Sequence, residues 1–139
     1  MIVTDINQLK QVSYEVPENE DITQIVADLF REMKEYDGWG LSAIQLGVRR
    51  RIFVMRLDPY SPVCFVNPVI LKEKGRQLRE ETCLSLPGVK VMVPRPSMIV
   101  IQGFNQYFKH VRTRLIGLQA RIACHEIDHC NGKLITDYE

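Results

Sequence analysis

The sequence predicts a small α+β protein, with short mixed or antiparallel strands packed around a central C-terminal helix and one amphipathic helix near the N-terminus. Two observations predict this class. Apolar residues recur at helical spacing near both ends of the chain, and the segments between them are short, β-branched and bounded by Gly or Pro. Strands and helices do not alternate along the chain, which argues against a parallel sheet built from βαβ units.

The chain has 139 residues, enough for one hydrophobic core but not for two independent ones, so we expect a single domain over residues 1–139. Its 18 Lys and Arg balance 17 Asp and Glu, for a net charge of +1. We therefore expect no nucleic-acid partner. The sequence shows neither a signal-peptide pattern nor an apolar run of ~18 residues, so we expect no membrane and a cytoplasmic location. We also expect a monomer.

The helix predicted over residues 21–36 has the clearest pattern in the chain. Its apolar positions are spaced 3, 1, 3, 1 and 3 residues apart, which places them in one stripe along a helix. Asp21, followed three residues later by Gln24, is typical of a capping box. Gly38 is predicted to end the helix in the left-handed conformation.

The middle of the chain predicts strands. Residues 38–47 are glycine-rich and predict a loop, and a strand follows over residues 51–57. Further short strands are predicted over residues 64–66, 69–72, 77–80, 89–93, 98–101 and 107–112. We expect Pro94 and Pro96 to end the strand over residues 89–93, and Asn105 to begin a hairpin turn. A final helix is predicted over residues 115–130, with a stop at residues 131–132.

The last predicted helix contains the sequence HEIDH at residues 125–129. His125 and His129 are four residues apart and share one helix face, so both imidazoles can reach one metal ion. Glu126 lies one step round the helix, where a carboxylate can take a proton from metal-bound water whose pKa the metal lowers toward ~7. The alternative is a helix with two structural histidines and a solvated glutamate.

A hydrolytic metal site needs a third protein ligand and one open position. After His129 the sequence offers only Asp137 and Glu139 as further ligands and no histidine. We therefore expect the third ligand upstream. The candidates are Cys83, His110 and the other three cysteines.

Local sequence favours Cys83, which lies in a polar segment bounded by Pro and Gly, where a thiol can face a cleft. The other cysteines are expected in the core, because a free cysteine behaves as a small apolar residue. They are Cys64, Cys124 and Cys130. The predicted metal ligands are therefore Cys83, His125 and His129.

Three motifs, in order, resemble those of the peptide deformylase family. GWGLSAIQ at residues 38–45 is similar to G-x-G-L-A-A-x-Q, ETCLS at residues 81–85 to E-G-C-L-S, and HEIDH to H-E-x-D-H. The resemblance extends over nearly the whole chain. It indicates a short form without the usual C-terminal helix, similar to members encoded by bacteriophages, for which we expect no docking on the ribosome through that helix.

The resemblance implies a hydrolase that removes the formyl group from N-formylmethionine at the N-terminus of newly synthesised proteins and releases formate. It implies one divalent metal ion, Fe(II) in the cell, with Zn, Ni or Co able to take its place. Metal-bound water would attack the formyl carbon, with Glu126 as general base and then acid. Gln45 and the backbone N–H of Leu84 would stabilise the developing oxyanion, and Gly40 would present its backbone to the peptide. The enzyme would act in a bacterial cytoplasm, or in that of a phage host.

Further residues are candidates for binding the substrate. Leu118 and Ile122 share the helix face of His125 and are candidates for the methionine side-chain pocket, with Trp39 nearby. The alternative is core packing, which we favour for Leu118. Thr82 stands where the family has a glycine beside the bound peptide, and a threonine is tolerated there if the backbone is extended.

Two other departures from the family pattern are Ser42, in place of alanine, and Cys124, in place of glutamine. Because every proposed ligand, the base and the oxyanion donors are present, we expect an active enzyme. The alternatives are another metal-dependent amidohydrolase that acts on a different acyl group, and a module in which the metal only stabilises the fold.

Overall fold

The computed structural model describes residues 1–139 and has the predicted α+β architecture. The α-helices are α1 (Ile6–Leu9), α2 (Thr23–Glu35) and α3 (Leu118–Cys130). The strands are β1 (Gly40–Ser42), β2 (Ile52–Arg56), β3 (Pro62–Lys74), β4 (Gln77–Cys83), β5 (Leu86–Arg95), β6 (Met98–Phe104) and β7 (His110–Ile116). Two 3₁₀ helices span Ala43–Leu46 and Ile135–Tyr138. No helix combines the length and the apolar composition needed to cross a membrane.

Five strands form an antiparallel sheet in the order β1-β2-β3-β6-β7, and β4 and β5 form a separate hairpin. The two long helices cover opposite faces of the larger sheet. Within β2, Val54 packs in one core cluster with Leu29 of α2, whereas its neighbour Phe53 packs in another with Ile127 of α3. Successive strand residues point to opposite faces, so β2 supplies both cores at once.

A third apolar cluster fixes the β4–β5 hairpin to the rest of the molecule. It joins Val91 and Val93 of β5 to Leu9 of α1 and to Leu134, which precedes the last 3₁₀ helix. Cys83, the final residue of β4, belongs to the same cluster. The hairpin that holds the predicted third metal ligand is therefore packed against both ends of the chain.

The ends of α2 differ from the prediction. The helix ends at Glu35, and the left-handed residue after it is Asp37, with φ 51°, because aspartate tolerates the conformation that was predicted for Gly38. Gly38 instead donates its N–H to the carbonyl of Met33, one turn back. At the other end the Asp21 carboxylate accepts the N–H of Thr23, but the reciprocal bond of a capping box is missing.

Helix α3 begins later than predicted. Leu115 pairs with Ile99 in the β6–β7 ladder, and Gly117, with φ 58°, separates β7 from the helix. The predicted stop is confirmed, since Gly132 has φ 73°, and a Cβ there would lie 2.3 Å from the carbonyl oxygen of Lys10. Glycine is thus required at this position by both conformation and space.

Several strands are longer than predicted. Residues 64–66 and 69–72 belong to one strand, β3, which is interrupted by a bulge near Asn67. Residues 40–42 of the predicted loop form β1. Strand β5 continues through Pro94, which an edge strand tolerates. The β6–β7 turn is longer than two residues, and β7 begins at His110 rather than at residue 107.

Candidate functional site

A cleft of about 390 Å³ lies where β1, the end of β4 and α3 meet. Most of the residues singled out in the sequence border it. These are Trp39, Gly40, Gln45, Thr82, Cys83, Leu84, Leu118, Ile122, His125 and Glu126. The exception is His129, which is 1% exposed and lies behind them. The fold therefore brings three distant motifs to one cavity.

Three potential metal ligands converge beside this cleft. The ligand atoms of Cys83, His125 and His129 all lie within 4.8 Å of one another, and the Cys83 Sγ is 3.4 Å from the His129 Nε2. His110 is not part of the group; it is exposed at the start of β7, against Phe104. A thiolate with two imidazoles suits a borderline divalent ion, and three protein ligands leave a position open.

The two histidines have different environments. Burial and the neighbouring His125 hold the pKa of His129 well below its usual value, so this ring is neutral, as a metal ligand must be. Burial also lowers the pKa of His125, but hydrogen bonds to Cys83 and Glu81 outweigh it and raise this pKa to about 10. His125 must therefore release a proton when it binds a metal.

Glu81 orients His125. Its Oε1 lies 3.0 Å from the His125 Nδ1, which leaves the Nε2 of that ring to face the other ligand atoms. Arg95 donates two hydrogen bonds of 2.9 Å to the Glu81 carboxylate. Arg121 donates one more hydrogen bond to it, with a length of 2.5 Å. Burial raises the pKa of Glu81, but the bonds from Arg95 and His125 lower it overall, to about 2. A charged carboxylate thus holds the ring through its outer nitrogen.

No role was predicted for Arg95, or for Glu81, although Glu81 lies in the ETCLS motif. The Arg95 guanidinium, behind Glu81, also donates a hydrogen bond of 2.5 Å to the Asp128 carboxylate. That carboxylate accepts a second hydrogen bond, of 2.6 Å, from the Tyr138 hydroxyl. The support for His125 therefore extends to the last residues of the chain. Only the position of Glu81, two residues before Cys83 on the same strand, could have indicated this role.

Glu126 is 3% exposed and points into the cleft. Burial raises its pKa, and this effect exceeds the lowering by His125 and by the Ser42 hydroxyl. The Ser42 Oγ lies 2.8 Å from the Glu126 Oε1, so the departure from the family's alanine adds a contact to this carboxylate. Gly40 is close by, since a Cβ there would lie 2.7 Å from the Glu126 Oε2.

The Gln45 side chain is held with its amide nitrogen toward the ligands. Its Oε1 accepts the N–H of Ser42 at 3.0 Å, and its Nε2 donates to the Ser85 hydroxyl at 3.1 Å. The same Nε2 is 3.7 Å from the Cys83 Sγ. The orientation of the amide is thereby fixed with its donor group beside the metal ligands. Leu84 lies in the turn between β4 and β5, next to Cys83.

The predicted substrate-binding residues are at the rim and the walls of the cleft. Thr82 belongs to β4 and its φ is not positive, so a threonine fits without strain. Ile122 is half-buried and Trp39 is 39% exposed. Core packing of Leu118 was the wrong interpretation: this residue is 60% exposed, because it begins α3 at the mouth of the cleft.

The three remaining cysteines are in the core, as predicted. Cys64, Cys124 and Cys130 are at most 6% exposed, and burial raises the pKa of each thiol to about 12. They are therefore protonated at neutral pH and do not compete with Cys83 as ligands.

A thiolate and two histidines beside an open cleft, with a buried carboxylate and an oriented amide donor, define a metal-dependent hydrolase. The sequence model of the polypeptide deformylase family matches residues 1–138. The chain belongs to this family, whose activity is the metal-dependent removal of the N-formyl group from new polypeptides.

Individual relatives agree. The chain is 40% identical to the peptide deformylase of Alkaliphilus metalliredigens over 84% of its own length and 78% of that protein. It is similar in structure to the Legionella pneumophila peptide deformylase, with a TM-score of 0.93, 32% identity and coverage of 99% of this chain and 83% of that one. The enzyme of Vibrio parahaemolyticus bacteriophage VP16T, in complex with actinonin, gives a TM-score of 0.90 at 35% identity, with coverage of 96% and 98%.

Proposed function

We propose that this peptide deformylase binds one divalent ion, Fe(II) in the cell, through Cys83, His125 and His129, and hydrolyses the formyl amide of N-formylmethionyl nascent proteins. The convergence of the three ligand atoms within 4.8 Å at the wall of the cleft supports this proposal best. When bound, a divalent ion polarises the formyl oxygen and lowers the pKa of water toward ~7.

The residues of the chain would then divide the chemistry between them. Glu126 takes the proton of the attacking water at its carboxylate and returns it to the leaving amine. The Gln45 Nε2 and the Leu84 N–H donate to the formyl oxygen as it gains negative charge, each contributing about 3 kcal/mol in the transition state. The burial of Glu126 supports its role, because a raised pKa makes a carboxylate a better base.

Substrate contacts are assigned from position in the cleft. The peptide would run extended beside Gly40 and Thr82, both of which lie in strands that border the cleft. Trp39, Leu118 and Ile122 would enclose the methionine side chain. We further propose that the chain acts as one domain and as a monomer in the cytoplasm of a bacterium or of a phage-infected cell.

Formate release tests this function. Protein purified under anaerobic conditions with Fe(II) is expected to release formate from a formyl-Met-Ala peptide, and Zn, Ni and Co forms are compared with it. Cys83→Ser serves as the control, with loss of both metal and activity expected. Actinonin, which is bound in the phage enzyme, is expected to inhibit. Full metal occupancy without formate would contradict the proposal, and acetate release from the acetyl-Met peptide would indicate a different amidohydrolase.

Thiol titration tests the metal ligands without an activity assay. All four cysteines are buried, but Cys83 borders the cleft, whereas burial raises the pKa values of the other three, so Cys83 is expected to react fastest. The loaded protein is expected to show no fast thiol toward a disulfide reagent, and the chelated protein one per chain. Cys83→Ser should show none in either state. An unchanged thiol count after chelation would remove Cys83 from the site.

A further inference from the structure

Arg121 lies in the cleft wall where the sequence predicted only apolar side chains. It precedes His125 by four residues on α3 and stands between Leu118 and Ile122, so the four residues form one helix face. Arg121 borders the same cleft, and its side chain is only 9% exposed. A buried guanidinium therefore stands beside the two apolar residues assigned to the methionine side chain.

Three acceptors on the β4–β5 hairpin hold this guanidinium in place. The Nη1 donates to the Glu81 Oε2 at 2.5 Å and to the Val93 carbonyl at 2.9 Å. The Nη2 donates to the Gln77 carbonyl at 2.7 Å. An arginine has five N–H groups, so the Nε–H and one Nη2–H have no partner in the protein. The Nε has no partner and is not among the fully buried atoms that lack one, so it keeps some exposure, and Arg121 is one of the residues that line the cleft.

The position of Arg121 matches the length of a methionine side chain. At 1.5 Å per residue, Arg121 is about 6 Å from His125 along the helix axis. In formylmethionine five bonds separate the formyl carbon from the thioether sulfur, and at ordinary bond lengths these extend about 6 Å. A formyl group beside His125 therefore places the sulfur near the turn of α3 that carries Arg121.

We propose that Arg121 determines specificity for methionine by donating a hydrogen bond to the thioether sulfur. The inference rests on the proposed function and extends it to the side chain that the cleft selects. Norleucine has the same shape but a methylene in place of sulfur, so it would leave the Nε–H of Arg121 without an acceptor. A site with fixed donors disfavours a ligand that lacks the acceptor.

The test compares two peptides, formyl-Met-Ala-Ser and formyl-Nle-Ala-Ser, on the Fe(II) holoenzyme. The sulfur is a weak acceptor, so we expect kcat/KM to favour methionine on the order of 5-fold. Equal values for the two peptides would overturn the inference and leave the deformylase function intact. No formate from either peptide would overturn both.

Variants locate the effect at Arg121. Arg121→Met keeps an unbranched side chain without donors, and Arg121→Lys keeps the charge without the Nε–H. Each is expected to bring the Met/Nle ratio close to 1. Arg114→Met, at an exposed position on β7, should keep the ratio of the parent. A parent-like ratio in both Arg121 variants would refute the contact.

A binding measurement separates recognition from chemistry. On metal-loaded Glu126→Ala, which is expected to bind but not to hydrolyse, the Kd values of the two peptides should differ by the same factor of about 5. The Met/Nle ratio of Kd values is insensitive to a general loss of stability. Equal Kd values would exclude recognition of the sulfur in the ground state and would contradict the proposal.

Discussion

Helices α2 and α3 have the same length, 13 residues each, and lie on opposite faces of the same sheet, yet they bury different kinds of side chain. The buried residues of α2 are apolar apart from Glu32. Four of the nine buried residues of α3 are polar, and they are Arg121, His125, Glu126 and His129. Because a buried polar group needs a partner, α3 depends on residues from other elements, and those partners form the active site.

The partners of the two histidines and of Glu126 in α3 come from two separate elements. Cys83 and Glu81 at the end of β4 face the two histidines, and Ser42 at the end of β1 contacts Glu126. By contrast, α2 needs only an apolar surface, which many side chains can provide. Substitutions should therefore have different effects in the two helices. Those in α3 should lower catalytic activity, and those in α2 should lower stability.

The largest effect is expected from Glu126→Gln. Glutamine keeps the size of the side chain and can still bond to Ser42, but it cannot accept a proton, so kcat/KM should fall by about 10³-fold. Metal content and the melting temperature should stay close to those of the parent. Formate release and metal analysis on the same preparation check this, and a loss smaller than about tenfold would contradict the role of Glu126 as base.

A stability effect of comparable energy is expected in α2. Leu29 is fully buried against the sheet, and Leu29→Ala should lower the free energy of unfolding by about 2–5 kcal/mol, measured by urea denaturation. While the variant stays folded, kcat/KM should be unchanged. Lys34→Ala, on the exposed side of α2, is the control and should change stability by less than about 0.5 kcal/mol. A selective fall in kcat/KM for Leu29→Ala would show that α2 also shapes the cleft.

The smallest effect concerns the contact between β1 and α3. The Ser42 hydroxyl favours the charged form of Glu126, so Ser42→Ala should raise the pKa of that carboxylate further. The base must be ionised, so the acidic limb of the pH profile of kcat/KM should move to higher pH. Ser61→Ala, which removes a surface hydroxyl bonded to Asp58, is the control. A limb that does not move would show that Ser42 does not tune Glu126.

The residues that were missed have one property in common. Glu81 is 44 residues from His125, and Ser42 is 84 residues from Glu126, so no local pattern connects either pair. The same holds for Arg121, which shares the helix face of His125, because no local pattern shows that its guanidinium is buried against β4 and β5. The errors in the predicted strand limits have a related cause. Only the pairing of β3 with its neighbouring strand shows that β3 continues past the bulge at Asn67.

The α+β class, helix α2, the stop at Gly132 and the type of chemistry could all be predicted from the amino-acid sequence, because helical spacing, turn glycines and the spacing of His125 and His129 are local properties. How the other elements support that chemistry became visible only in the folded chain. Hydrogen bonds between distant elements orient His125 through Glu81, hold Glu126 beside Ser42 and place the Arg121 guanidinium in the cleft. Such bonds depend on distances between elements, and these distances exist only after the sheet and the helices have packed together.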